Sequence, residues 1–171
     1  LPAITDVETC RPTVVVTGSK EKSESVIDGY DTVERSLTYD QFHEGDAVDS
    51  YDAVYVCTPN AYHLPFVESA ASFGKSVLCE KPVEATVERA KSLVAAADDA
   101  DIPLMVAYRM QTDPVIRRLR EFVADGGIGE PLLAHGSMTQ TITNQISADP
   151  DQWRLDVDVS GGCALIDLGI Y

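Results

Sequence analysis

Apolar, β-rich runs alternate with stretches of helical periodicity through most of this chain, and that alternation leaves few folds open. Thr13–Thr17 (TVVVT) reads as a buried strand closed by Gly18-Ser19-Lys20, and Ala53–Thr58 (AVYVCT) as the next, ending at Pro59-Asn60. A helix follows from Ala61 to Phe73, with Gly74 as its stop signal. Val77–Cys79 is a third strand, and Glu84–Ala97 a helix whose apolar face is Val87, Ala90, Leu93 and Val94. Leu104–Ala107 gives a fourth strand and Pro114–Ala124 another helix with its arginines outside. Strands joined by helices at this spacing form parallel βαβ units, which predicts an α/β protein built on a doubly wound parallel sheet.

The pattern changes after Gly126-Gly127. Pro131–Thr143 reads as a longer strand with Thr and Ser on one side, which suggests an open, mostly antiparallel sheet. A polar loop leads to Trp153-Arg154, and Gly161-Gly162 then opens an apolar helical stretch to Tyr171. A domain boundary near Gly127 is expected, with residues 1–127 as one domain and 128–171 as the start of another. One strand makes no self-sufficient sheet. A dinucleotide fold also opens on a strand and a Gly-rich turn over the pyrophosphate, and Thr5–Arg11 leaves no room for either. The chain therefore reads as an internal fragment of a longer protein.

Charge narrows the classes further. Asp and Glu total 28 against 13 for Lys and Arg, a net charge of −15, and the acids are scattered along the chain. Self-repulsion of that size is tolerated where salt screens it, which points to a salt-loving source. A nucleic-acid partner would need a basic footprint and is not expected. No apolar run approaches a membrane span, so a cytoplasmic protein is expected. Cys10, Cys57, Cys79 and Cys163 include no Cys-x-x-Cys pair. Cys57 and Cys79 lie in strand-like runs, where thiols act as small buried hydrophobes. The three histidines are far apart in sequence, so no metal site is expected.

The residues that carry chemistry come in one order. Thr58-Pro59-Asn60-x-x-His63 is followed by Gly74-Lys75-x-Val77-Leu78-Cys79-Glu80-Lys81-Pro82 and then by Ala107-Tyr108-Arg109. Trp153-Arg154 and Gly161-Gly162-x-Ala164-Leu165-x-Asp167-x-Gly169-x-Tyr171 complete the series. Each motif alone is weak, but the ordered set resembles the glucose–fructose oxidoreductase/inositol dehydrogenase (Gfo/Idh/MocA) family, on its NADP-dependent aldose dehydrogenase side. The resemblance implies a Rossmann domain, here without its first strand and Gly-rich loop. It further implies an α/β domain whose open sheet mediates oligomerisation, as a homodimer or homotetramer.

The resemblance also implies roles. Lys81 sits beside nicotinamide and substrate, with a Lys81–Pro82 bond of the cis kind. Thr58, Pro59 and Asn60 form a strand-end loop facing the cofactor, and Arg109, ending the fourth strand, is a further candidate there. His63 either orders that loop or touches ligand, and Glu80 either orients Lys81 or binds the cofactor ribose. Ser19-Lys20, after the strand Thr13–Thr17 that stands as the second Rossmann strand, supplies a hydroxyl and a cation where an acid would bind NAD. It favours NADP over NAD, with a plain charged turn as the alternative. Asp167 and Tyr171 are four apart and share a helix face, Asp167 holding the sugar and Tyr171 accepting its proton. A nearby Lys81 favours the tyrosinate. Trp153 and Arg154 form either a surface stack or a polyol-binding pair.

These roles together imply hydride transfer from the anomeric carbon of an aldose, a pentose such as xylose or glucose, to NADP, giving a lactone. The alternatives are a non-catalytic sugar- or nucleotide-responsive regulator of the same fold, or a dihydrodiol or other cyclic-alcohol dehydrogenase. The presence of both Lys81 and Tyr171 favours the enzyme over the regulator.

Overall fold

Five short parallel strands, four of them from valine-containing apolar runs, form in the computed structural model, which describes residues 2–137, 149, 151–162 and 164–170. After a single helical turn, α1 (Pro2–Thr5), β1 (Val14–Val16) pairs in parallel with β2 (Arg35–Leu37) in the register Val14↔Arg35. A second sheet has the order β3 (Ala53–Val56), β4 (Ser76–Cys79), β5 (Leu104–Val106), all parallel, with Val54 opposite Val77 and Val77 opposite Leu104. Among the described residues no strand pairing joins the two sheets.

Local chemistry explains each crossover. Ser19 caps α2 (Lys20–Gly29) by accepting from the Lys22 amide. Thr38 and Gln41 form a reciprocal capping box on α3 (Tyr39–His43). Helix α4 (His63–Ser72) ends where Gly74 takes φ +67, which a side chain would strain, as its stop signal predicts. Thr86 caps α5 (Val87–Asp99), and Asp113 with Pro114 starts α6 (Pro114–Ala124). One core results: Phe42, Val56, Phe66, Val67, Ala70, Val77, Cys79 and Leu93 close on one face of the three-stranded sheet.

Several sequence expectations change. The segment between the first two predicted strands holds α2, β2 and α3, so Leu104–Val106 is the fifth strand, not the fourth. Helix α5 starts at Val87 rather than Glu84, and it buries Leu93 and Ala97 while Val87 and Val94 face solvent. Val14–Val16 is half-buried, because β1 is paired on one side alone among the described residues. Cys57 is exposed, since strand alternation puts it with Tyr55 on the outward face, whereas Cys79 is buried as expected. Residues 131–137 of the expected long strand carry no strand pairing and are exposed; the rest of that prediction lies outside the described residues. The expected helix to Tyr171 is one turn, with Tyr171 outside the described residues. No helix among the described residues is long and apolar enough to cross a membrane.

Candidate active site

Parallel strands deliver side chains to a common carboxyl edge, and here β3 and β4 end side by side. The ladder continues one residue past β4, where the Glu80 amide donates to Val56 O at 2.9 Å. The next residue is Lys81, followed by a cis bond to Pro82, as the resemblance implies. Glu80 is held from two sides: the Tyr55 hydroxyl donates to its Oε1 at 2.5 Å, and its Oε2 accepts from the Lys81 amide at 3.1 Å. In this arrangement Glu80 orients the Lys81 backbone. Burial first, and then the Glu80 carboxylate, push the Tyr55 phenol well above its ordinary value.

The Lys81 ammonium, 13% exposed, donates to both the backbone carbonyl and the carboxylate of Asp167, at 2.5 and 2.6 Å. Asp167 ends the turn α8 (Ala164–Asp167), preceded by α7 (Val157–Ser160). Its second oxygen is 4.0 Å from Nε of Arg154, whose guanidinium lies 4.5 Å above the Trp153 ring. Cys57, Thr58, Asn60, Glu80, Lys81, Trp153, Arg154 and Asp167 line one cavity of about 130 Å³. Thr58 Oγ1 is buried there with no hydrogen-bond partner among the described residues. Cys57 is exposed as a residue, but partial desolvation of its thiol, and then the Glu80 carboxylate, raise the thiol above its ordinary value.

Predicted site residues thus divide. Thr58, Asn60, Glu80, Lys81, Trp153, Arg154 and Asp167 converge. Ser19 lies at the β1–α2 turn, in the other sheet, with Lys20 opening α2. Arg109 is exposed on a 3-10 turn after β5 and is not among the described residues lining the cavity. Pro59 caps the 3-10 turn Asn60–Tyr62. His63 is fully buried, its ring nitrogens 2.9 Å from Thr58 O and 3.1 Å from Val83 O, so it orders the loop and has no exposed surface for a ligand.

Sequence reasoning missed the clamp behind this edge. Glu84 accepts from the Leu64 and Ala85 amides and from Arg89, which also donates to Ala61 O. Burial would raise the Glu84 carboxyl, but Arg89 and the two amides outweigh it and hold it below its ordinary value. Glu84 passed for an ordinary acid at a helix start; its place two residues after the Pro82 turn was the available signal.

Strand order, cleft position and the Lys81–Asp167 pair fit a nucleotide-dependent oxidoreductase, and comparison with known proteins decides the family. Residues 2–108 match the family model described as "Oxidoreductase family, NAD-binding Rossmann fold", and residues 116–171 match the GFO/IDH/MocA C-terminal domain. The chain belongs to the Gfo/Idh/MocA oxidoreductase family. It is 52% identical over 171 residues to D-xylose 1-dehydrogenase [NADP(+)] of Haloarcula marismortui, covering 100% of this chain and 47% of that protein. It is 30% identical over 184 residues to D-xylose 1-dehydrogenase (NADP(+)) of Hypocrea jecorina, covering 99% and 45%. Among solved structures it resembles aldose–aldose oxidoreductase from Caulobacter crescentus complexed with glycerol. The TM-score there is 0.80 and the identity 34%, over 99% of this chain and 50% of that one. The chain spans about half the length of these relatives.

Proposed function

We propose that the full-length protein is an NADP-dependent aldose dehydrogenase acting on a pentose such as xylose at its anomeric carbon, with a lactone as product. The observation that carries this reading is the Lys81–Asp167 pair beside the Trp153–Arg154 platform at the carboxyl edge of β3 and β4. A guanidinium stacked on an aromatic ring, next to a carboxylate with spare acceptor capacity, suits a ligand dense in hydroxyls. The xylose dehydrogenases among its relatives support the substrate class.

NADP, when bound, would supply the hydride acceptor. The residues present suit such a ligand: Thr58 lines the cavity, and its Oγ1 is buried with no hydrogen-bond partner among the described residues. Ser19 and Lys20 sit where β1 turns into α2, with a helix N-terminus suited to a phosphate. Lys81 positions the Asp167 carboxylate and places a cation at the reacting centre. Asp167 accepts from sugar hydroxyls, and Tyr171, assigned on its motif position and acting as the tyrosinate that Lys81 favours, takes the hydroxyl proton and becomes the neutral phenol. We place the domain boundary near Gly127 and assign the 128–171 segment to an oligomerising substrate domain, in a soluble cytoplasmic enzyme.

The test is turnover by the full-length protein in molar KCl, following nicotinamide reduction with NADP and NAD against pentoses and hexoses. Reduction of NADP with xylose is expected. Cofactor binding without turnover of any aldose would overturn the reading.

A further inference from the structure

Asn60 belongs to the strand-end motif that the resemblance turns toward the cofactor, yet its amide nitrogen is committed elsewhere. The residue is 5% exposed, and its Nδ2 donates to the Ser160 carbonyl at 2.8 Å, a contact one hundred positions distant in sequence. Ser160 is itself buried and ends α7. Directly after it, Gly161 adopts φ +76, and a Cβ there would lie 2.3 Å from the Ala85 carbonyl oxygen. Only glycine permits that approach of backbone to backbone.

Both anchors on the first-domain side are held by further hydrogen bonds. Arg89 holds Ala61 O, next to Asn60, and Glu84 holds the Ala85 amide. The segment from Asp156 to Gly162 is therefore pinned at two points, to the loop after β3 and to the loop after β4. Asp167 follows a few residues later and meets Lys81 on that same loop.

We propose that Asn60 is a positioning residue: with Gly161 it docks the second domain onto the first and sets the Lys81–Asp167 contact, and its side chain is not a cofactor ligand. This rests on the reading of Lys81 and Asp167 as the reacting centre only for its effect on rate; the docking itself does not depend on it. Asn60→Asp keeps the shape and removes the donor, placing a carboxylate against the Ser160 carbonyl and leaving a buried acceptor unsatisfied.

The test uses the full-length protein and reads two quantities besides activity. Hydrogen exchange in the apo protein reports the amides of Ser160, Gly161 and Gly162, which are bonded to Asp156 O, Val157 O and Ser160 Oγ. NADPH affinity is read by fluorescence titration. In Asn60→Asp, exchange at residues 160–162 should speed about tenfold, and kcat should fall about tenfold, the effect of one lost buried hydrogen bond. NADPH affinity should stay within about threefold, less than one lost hydrogen bond would cost. Gly161→Ala attacks the joint from its other side, touches no proposed ligand contact, and should give the same pattern; it also carries the test if Asn60→Asp does not fold. Unchanged exchange at residues 160–162, or a larger loss of NADPH affinity in Asn60→Asp, overturns the proposal. A wild-type protein with no turnover would defeat the dehydrogenase reading and leave the exchange comparison readable.

Discussion

Two ion pairs grow from one short loop and meet opposite fates. Glu84 and Lys81 are three residues apart, both just beyond β4, and each meets a charged side chain of another element, Arg89 and Asp167 respectively. The Glu84 side chain is 0% exposed, and its oxygens take two backbone amides and Arg89. Three of its roughly four acceptor sites are filled and none of its surface is open to a ligand, so the pair holds structure. Asp167 is 44% exposed, and its Oδ2 has Arg154 no nearer than 4.0 Å. Its geometry leaves room for another donor. Saturation of acceptor sites separates a structural carboxylate from a reactive one more sharply than charge does. In this fold the saturated pair stands directly behind the open one and fixes the loop that presents Lys81.

Breaking the open pair should remove chemistry and leave the fold. Lys81→Ala is expected to lower kcat with NADP and xylose about a thousandfold, the upper range for losing one preorganised charge at a reacting centre. The urea midpoint should barely move, because the freed Asp167 carboxylate can turn to water. A loss of stability comparable to the loss of activity would erase the distinction between the two pairs.

Breaking the closed pair should do the reverse. Glu84→Ala leaves Arg89 and two amides without their acceptor. It should cost about 3 kcal/mol in urea unfolding, the low end for a broken buried pair because Arg89 is partly exposed. The same residue predicts an acid limb. Its carboxyl lies below its ordinary value in the fold, so its contribution is complete above the unfolded value of about 4.3. It is lost as pH falls from there through the lower folded value. Glu84→Gln should flatten that part of the stability–pH curve, and an unchanged limb would show that other carboxylates carry it.

The same contrast shows what could be read from the sequence. Strands rich in valine and motifs in fixed order were legible, and they led to β1, β3, β4, β5, Lys81 and Asp167. The Lys81–Asp167 contact spans 86 positions and no spacing rule gives it; only the family motif linked the two. β2 was missed because Arg35-Ser36-Leu37 is short, polar and paired on one side among the described residues. On α5 the buried stripe is Leu93 and Ala97, facing α4, whose Ala70 and Ala71 let the helices approach. The expected face of Val87, Ala90, Leu93 and Val94 holds at Leu93, but Val87 and Val94 face solvent and Ala97 is buried in their place. Glu84 and Asn60 look like a helix-start acid and a turn residue, and only tertiary structure shows that each closes a buried joint.

A smaller effect sharpens the open side of the comparison. Arg154→Ala removes the guanidinium above Trp153 and the second cation near Asp167. It should raise KM for xylose about tenfold with kcat nearly unchanged, the signature of lost uniform binding. A fall in kcat at constant KM would instead move Arg154 from holding the sugar to stabilising the reacting centre.

The smallest effect comes from a third pair that is neither saturated nor enclosed. Arg118 and Glu121 face each other at 3.2 Å on α6, with side chains 75% and 58% exposed. Water solvates both ions in and out of the pair, and ordering two long side chains offsets the weak attraction that remains. Arg118→Ala should therefore shift unfolding free energy by less than about 0.5 kcal/mol. Any change should shrink further in molar salt, where screening acts within a few ångströms. A cost approaching that of Glu84→Ala would mean that burial and acceptor saturation do not rank the charges of this protein. The assignment of Glu84 to structure and Asp167 to chemistry would then lose its physical basis.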